Sequence, residues 1–527
     1  MKRLVLNGTI IDGTGAPAFV GDVLIDGDRI ADVRPASSSV PSSVVPDCET
    51  IDAAGRIVSP GFVDAHAHSD AYLVIEPDAP SKITQGITTE INGQCGGSVA
   101  PRYGEARLSS DWAALLGDRL VWRSLAEYRE TLAAARPAVN TVQFVGHNTL
   151  RSSVVGYRGR ACTPDELRRM TRLLEQSLDE GGWGLTTGLI YQPGRYSTPE
   201  EVVALAKAAA AHGGYYATHM RSEGDRILES IDEVIELVKA TGIRAEISHL
   251  KTSGARNWHK IDAVLEKIGN AVSDGLLLGS DRYPYCAAGT DLDIVLSDWA
   301  QEGGVPAEIG RIGDPAVKAR IIDEINACDR DWSTVMIGGT WHPDNRRFSG
   351  RYVSEILSSG TSGFVTPGEL IVSVLERDGF KTGGFFFGMS EENLAKIYSR
   401  PWIVPGSDAS LRAPWGPLGA DHPHPRAYAT MPEFYRRVRA LGFSREETVA
   451  RMTSVPCDRF GIRDRGRIAA GAFADLVVWD EDGFAAKATF DNPHRFAGGV
   501  DLVMVNGSIP YRGGRFTGDR AGRFLER

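Results

Sequence analysis

The sequence predicts an α/β fold: a (β/α)8 TIM-like barrel, a small β-sandwich domain formed by both termini, and an insertion between barrel strands seven and eight. Three observations predict it. Between residues 58 and 463, eight strand-like runs alternate with amphipathic helical stretches, the pattern of βα units around a parallel sheet. Both ends carry short β-rich runs broken by Gly and Asp turns, LVLNGTIIDGTG near the start and DLVMVNGSIPYRGG at 501 to 514. A stretch from about 290 to 400 parts the seventh run from the eighth and reads as a subdomain capping the barrel mouth.

Taken in order, residues 1 to 57 form the N-terminal part of the sandwich, and 464 to 527 return to complete it. The barrel runs fall at 61 to 66 (GFVDAH), 87 to 92 (ITTEIN), 140 to 147 (NTVQFVGH) and 183 to 190 (WGLTTGLI). The other four are 215 to 219 (YYATH), 244 to 249 (RAEISH), 276 to 283 (LLLGSDRY) and 401 to 408 (PWIVPGSD). Helix starts carry capping chemistry. Thr163-Pro164-Asp165-Glu166 and Thr198-Pro199-Glu200-Glu201 each place a hydroxyl at the N-cap, Pro at the first helical position and Glu at the third. The stretch from 224 to 242 ends on Gly242, as a helix should.

The bulk numbers narrow the function. The chain has 527 residues, 42% of them apolar, which is ample for a large core. Lys and Arg number 58 against 68 Asp and Glu, a formal net charge of -10, so no extended basic footprint for nucleic acid is expected. The substrate is expected to be small. No run of 18 apolar residues appears, and turn residues stand where a signal peptide needs its apolar core, so the expectation is a cytoplasmic protein without membrane contact. Cys48, Cys95, Cys162, Cys286, Cys328 and Cys457 lack CxxC spacing, which argues for reduced thiols.

Barrel enzymes build their sites at the C-terminal ends of the strands. There the polar residues sort themselves: His66 and His68 end strand one, Cys95 follows strand two, His219 ends strand five, His249 ends strand six and Asp408 ends strand eight. Two apart on an extended chain, His66 and His68 leave the same face. Each residue alone is better explained by packing or an ordinary hydrogen bond, but six agreeing positions reverse that. Zinc accepts this mixture of imidazole, thiolate and carboxylate, and an open position would activate water at neutral pH. Asp408 is the candidate general base and acid, a carboxylate placed to take a proton from water and pass it to a leaving amine.

The HAH pair, two later histidines and the SDxS of strand eight resemble the amidohydrolase superfamily. The closer resemblance is to the N-acyl-D-amino-acid deacylases (D-aminoacylases), carried by GQCGGSVAP at 93 to 101, GLTTGLIYQPG at 184 to 194, ATHMRSEG at 217 to 224, ISHLKTSG at 247 to 254, RYPYCAAGT at 282 to 290 and HPHPRAYAT at 422 to 430. It implies a tightly held Zn2+ on Cys95, His219 and His249, with His66, His68 and Asp408 forming a weaker neighbouring position. Relatives of the hydantoinase and dihydroorotase type bridge two metals with a carbamylated lysine on strand four, but here that strand has no lysine and Cys95 takes the bridging or anchoring role.

The implied substrate is an N-acylated amino acid. Tyr191 is placed to reach the acyl oxygen, while Lys251, Tyr283 and Arg426 grip the free carboxylate. The implied reaction is hydrolysis of N-acyl-D-amino acids; a cyclic-amide hydrolase and a non-catalytic scaffold on the same fold are the alternatives. One departure from the family pattern is SDASLRAPWGPLGADHPHPR, where added residues including Arg412 and Trp415 are expected beside the amino-acid pocket, with Arg412 a further anion contact. D over L selectivity comes from the resemblance alone. Nothing in the sequence sets the acyl chain, the number of metals or the oligomeric state.

Overall fold

The computed structural model describes residues 1–35, 48–108 and 110–527. Eight parallel strands form the barrel: Phe62–Asp64, Ile87–Asn92, Asn140–Gln143, Gly184–Gly188, Tyr215–His219, Arg244–Ile247, Leu278–Arg282 and Ile403–Pro405. The first three pair in one ladder, and the third then breaks at Phe144 and resumes as Val145–Gly146 to begin a second ladder through strand eight. The Phe144 N–H still donates to the Asn92 carbonyl at 3.0 Å, so the break does not open the wall. The ring closes between strands eight and one by backbone bonds from Ala65 to Pro405 (3.1 Å), Asp408 to His66 (2.8 Å) and His68 to Ala409 (3.2 Å).

Helices cover the outside, and Ile87–Asn92, Gly184–Gly188 and Leu278–Arg282 are buried along their whole lengths. Helix Pro164–Asp179 turns Met170, Leu174 and Leu178 inward and begins with both arms of the capping box on Thr163 and Glu166. At helix Pro199–Ala211 only one arm forms. Thr198 accepts from the Glu201 N–H at 3.3 Å, while the Glu201 carboxylate turns into the core to meet His147 and Arg151. Gly242 closes helix Ile227–Thr241 in the left-handed region, φ 66°.

Several strands stop short of the sequence-based limits. Strand one ends at Asp64, strand six at Ile247 and strand eight at Pro405, leaving His66, His249 and Asp408 in the loops that follow. For strands six and eight the reason is conformational: His249 (φ 38°) and Asp408 (φ 49°) are left-handed, and a parallel ladder cannot pass through that conformation, which Cys95 (φ 53°), past strand two, also adopts.

The termini meet in one nine-stranded sheet that folds around its own core of Val5, Val23, Ile25, Leu476 and Met504. Ile57–Pro60 joins the two ends, pairing in parallel with Lys2–Ile10 and antiparallel with Leu476–Trp479. The last residues leave that sheet: Thr141 of barrel strand three exchanges backbone bonds with Arg523 and Leu525, so the tail seals the barrel floor. Between strands seven and eight, Ala288–Asp291, Val335–Ile337, Arg351–Tyr352 and Gly383–Phe386 form a separate four-stranded antiparallel sheet. Helices Pro315–Ala327 and Pro367–Asp378 pack on it around a second core that includes Ile337, Leu370 and Val374. Helix Glu391–Tyr398 then rejoins the barrel core through Leu394, Ile397 and Tyr398. Among the described residues, no helix is long and apolar enough to cross a membrane.

Candidate metal centre and substrate cavity

Six side chains from five barrel strands meet at the C-terminal end of the ring. They fall into two overlapping groups, His66, His68, Cys95 and Asp408 in one, and Cys95, His219 and His249 in the other. Within each group the donor atoms lie within 4.8 Å of one another. Cys95 belongs to both. Its Sγ is 3.3 Å from His66 Nε2 and 3.4 Å from His249 Nε2. Asp408 Oδ1 is 3.1 Å from His68 Nε2 and 3.4 Å from His66 Nε2, and its Oδ2 accepts from Arg426 at 2.8 Å.

Charge in this cluster is strongly coupled. Burial alone would push the His66 imidazolium down, but Asp281 and Cys95 hold its pKa well above the ordinary 6.5. Burial pushes the Cys95 thiol up, yet His66 and His249 bring it well below 9.0. The Asp408 carboxyl, also disfavoured as an anion by burial, is held well below 3.8 by Arg426 and His249. A thiolate and a carboxylate therefore face imidazoles held in the protonated form across a few ångströms, and a borderline-soft divalent cation taking the place of those protons suits the set.

His219 tests that fit independently. Its ring is buried, yet neither Nδ1 nor Nε2 has a hydrogen-bond partner, and Glu223 Oε2 lies 3.5 Å from Nε2. A buried imidazole whose nitrogens make no full hydrogen bond is costly unless it ligates something, and here a carboxylate and the Cys95 sulfur lie just beyond that reach. The residues present fit a metal such as zinc.

Two carboxylates that sequence reasoning did not select brace the cluster. Asp281, inside strand seven, sits 3.2 Å from His66 Nδ1 and accepts the backbone N–H of His249 at 2.9 Å. Glu223 lies 2.9 Å from His249 Nδ1 and binds the Lys251 ammonium. Carboxylates behind ligating histidines fix the tautomer and the ring orientation. The available signals were position alone: Asp281 in a barrel-strand run, and Glu223 four residues beyond His219.

A cavity of about 420 Å³ opens over the cluster, bordered by His68, Cys95, Tyr191, Asp408 and Arg426 from the barrel and by Trp341 and Lys381 from the inserted unit. The Tyr191 hydroxyl is 3.3 Å from Thr290 Oγ1, and its ring stands edge-on to His219. Arg426 lies over the Tyr283 ring at 4.6 Å, and the Tyr283 hydroxyl beneath is buried without a partner. Lys251 lies deeper, its ammonium on Glu223, 2.7 Å from His249 Nδ1 and donating to the His249 carbonyl at 3.0 Å. Arg412 borders the cavity, paired with Asp421 at 3.0 Å. Trp415 instead donates to Glu76 at 3.0 Å and packs against Phe496 and Phe516, away from the cavity.

Comparison with known proteins gives the family of the chain. The amidohydrolase family profile matches residues 49–511. The chain is 33% identical to N-acyl-D-glutamate deacylase of Alcaligenes xylosoxydans xylosoxydans, over 96% of this chain and 93% of that protein. It is 32% identical to D-aminoacylase of the same organism, over 99% of this chain and 97% of that protein. Among solved structures, N-acyl-D-glutamate deacylase from Bordetella bronchiseptica, complexed with zinc and a phosphonate mimic of the tetrahedral intermediate, superposes with a TM-score of 0.82 at 30% identity, covering 100% of this chain and 99% of that one. The chain belongs to the amidohydrolase family, in its N-acyl-D-amino-acid deacylase (D-aminoacylase) branch.

Proposed function

We propose that this protein is a zinc-dependent hydrolase that cleaves N-acyl-D-amino acids to a carboxylate and the free D-amino acid. The observation that carries the reading is the meeting of Cys95, His219, His249 and Asp408 under one cavity in a chain of this branch. We assign the chemistry to the barrel, residues 58 to 463, with the terminal sheet as support. Cys95, His219 and His249 hold the tightly bound ion; His66, His68 and Asp408, sharing Cys95, form a weaker second position. Zinc, when bound, supplies Lewis-acid polarisation of the acyl carbonyl.

The chain's own residues do the rest. Arg426 on Oδ2 keeps Asp408 ionised, and Oδ1, on the side of His68 and His66, takes a proton as water adds to the acyl carbon. When the C–N bond breaks, Oδ1 returns that proton to the departing nitrogen. The Tyr191 hydroxyl, at the cavity edge, donates to the acyl oxygen. Arg426 and the unpartnered Tyr283 hydroxyl grip the α-carboxylate, with Lys251 contributing positive charge from below. The lack of a lysine in strand four, Gly184–Gly188, removes the bridge a cyclic-amide hydrolase of this superfamily would use. All six cysteines are free thiols, which supports a cytoplasmic location.

The test is a panel of N-acetyl-D- and N-acetyl-L-amino acids with metal analysis of the same preparation. We expect turnover of D substrates by zinc-loaded protein. Preference for L substrates, or for hydantoins and dihydroorotate, overturns the reading.

A further inference from the structure

Lys82 stands in a one-turn helix, Pro80–Ile83, behind the metal cluster, and is completely buried. Its ammonium donates to Asp64 Oδ2 at 2.8 Å, Ser407 Oγ at 3.0 Å and the Ala409 carbonyl at 3.0 Å, with Glu90 Oε1 at 2.9 Å. Ser407 and Ala409 are the two neighbours of Asp408, and Asp64 precedes His66 by two residues. Asp64 returns to the same place, accepting the Ser407 N–H at 2.7 Å and the Ser407 hydroxyl at 2.6 Å. Both residues flanking Asp408 are thus fastened to one cation, across the seam where strand eight meets strand one.

Asp408 needs such a clamp. It is left-handed, a conformation that persists in a residue with a side chain only where the surroundings over-determine it. The seam there is held by only a few backbone bonds rather than a regular ladder.

We propose that Lys82 is a positioning residue for the deacylation reaction: by binding Ser407 and Ala409 it holds the Asp408 carboxylate in register with His66 and His68. This rests on the reading of Asp408 as the proton carrier. A purely structural role, neutralising buried Asp64 and Glu90, predicts lost stability but no selective loss of kcat.

The experiment uses full-length, zinc-loaded protein and the best substrate of the panel. Lys82→Met is expected to lower kcat by about 100-fold with KM within about threefold, the scale for a displaced catalytic group. Zinc on the Cys95 group should be retained. Ser407→Ala leaves both ion pairs in place and removes one arm of the clamp; a fall in kcat of about tenfold is expected. Each substitution is repeated in an Asp408→Ala background, where a residue acting through Asp408 has nothing further to lose and kcat should change by less than about twofold. An equal loss in both backgrounds, or a rise in KM with kcat unchanged, overturns the proposal. If Lys82→Met does not fold, Ser407→Ala in the two backgrounds decides by the same criteria. Near-normal turnover by Asp408→Ala alone instead removes the proton-carrier reading beneath the proposal, and is read separately from either clamp variant.

Discussion

Two buried trios at the barrel mouth are made of nearly the same parts. In one, His249 Nδ1 lies 2.9 Å from Glu223, which also binds Lys251. In the other, His147 Nε2 lies 2.8 Å from Glu201, which also binds Arg151. Each is a histidine, a glutamate and a cation, shielded from water. They differ in what the second ring nitrogen meets. His249 Nε2 faces the Cys95 thiol, with His66 and His219 alongside. His147 Nδ1 is buried without a partner, and among the described residues His147 joins no cluster of three donors. A histidine braced by a carboxylate is therefore not in itself a site; convergence of donors on the far nitrogen makes it one.

The largest effect should separate the two trios outright. His249→Ala is expected to lose bound zinc and lower kcat/KM by more than about 10³-fold, because one of the three side chains proposed to hold the ion is gone. His147→Ala should keep its zinc and most of its activity. Elemental analysis with steady-state kinetics checks both, and equal zinc loss in the two variants would erase the distinction.

Within the metal cluster, the next largest effect divides holding from proton transfer. Asp408→Asn should lower kcat by about 10² to 10⁴-fold, the range for a general acid or base, while zinc on Cys95, His219 and His249 stays. Zinc content of one ion per chain in an inactive Asp408→Asn protein is the expected result. Loss of all metal would make Asp408 an anchor instead.

The two glutamates sharpen the comparison further. Glu223→Gln should weaken zinc affinity by about 10 to 100-fold, as expected for a carboxylate behind a ligating histidine. Glu201→Gln should leave zinc affinity unchanged and lower unfolding free energy by about 3 to 5 kcal/mol, the cost of stranding buried charge. Competition with a chelator and urea unfolding separate these outcomes. A Glu201 variant that sheds metal would show the trios to be one network.

Much of this was legible in the sequence, for a definite reason. The eight strands read true because parallel strands buried on both faces are short apolar runs bounded by turns, and their order alone carries His66, Cys95, His219, His249 and Asp408 to one end. The same rule would have nominated His147, since NTVQFVGH ends on a histidine as RAEISH does. Strand-end position gives which residues reach the mouth, not which rings converge. Glu223, Asp281 and Lys82 were illegible because each acts at second remove, through contacts between segments far apart in the chain, such as Lys82 with Ser407. The left-handed backbone at Cys95 was also hidden, since cysteine does not favour it. Arg412 reached the cavity wall as expected from its place, but its neighbour Trp415 turned to the terminal sheet, where Phe496 and Phe516 offered an aromatic surface.

The smallest effect concerns pH, and it belongs to the trio without metal. Burial pushes the Glu201 carboxyl up, but His147 and Arg151 overcome this and bring it from the ordinary 4.5 down to about 2. A folded-state pKa below the unfolded one means that the unfolded chain binds the proton first as pH falls. Stability from this group is therefore complete above about 4.5 and is lost progressively between there and about 2. The melting temperature of the native protein should fall through that window more steeply than that of Glu201→Gln, which has no proton to take up. Because this carboxylate touches no proposed metal ligand, the difference should persist after chelation. A difference that vanished with the metal would tie Glu201 to the site after all.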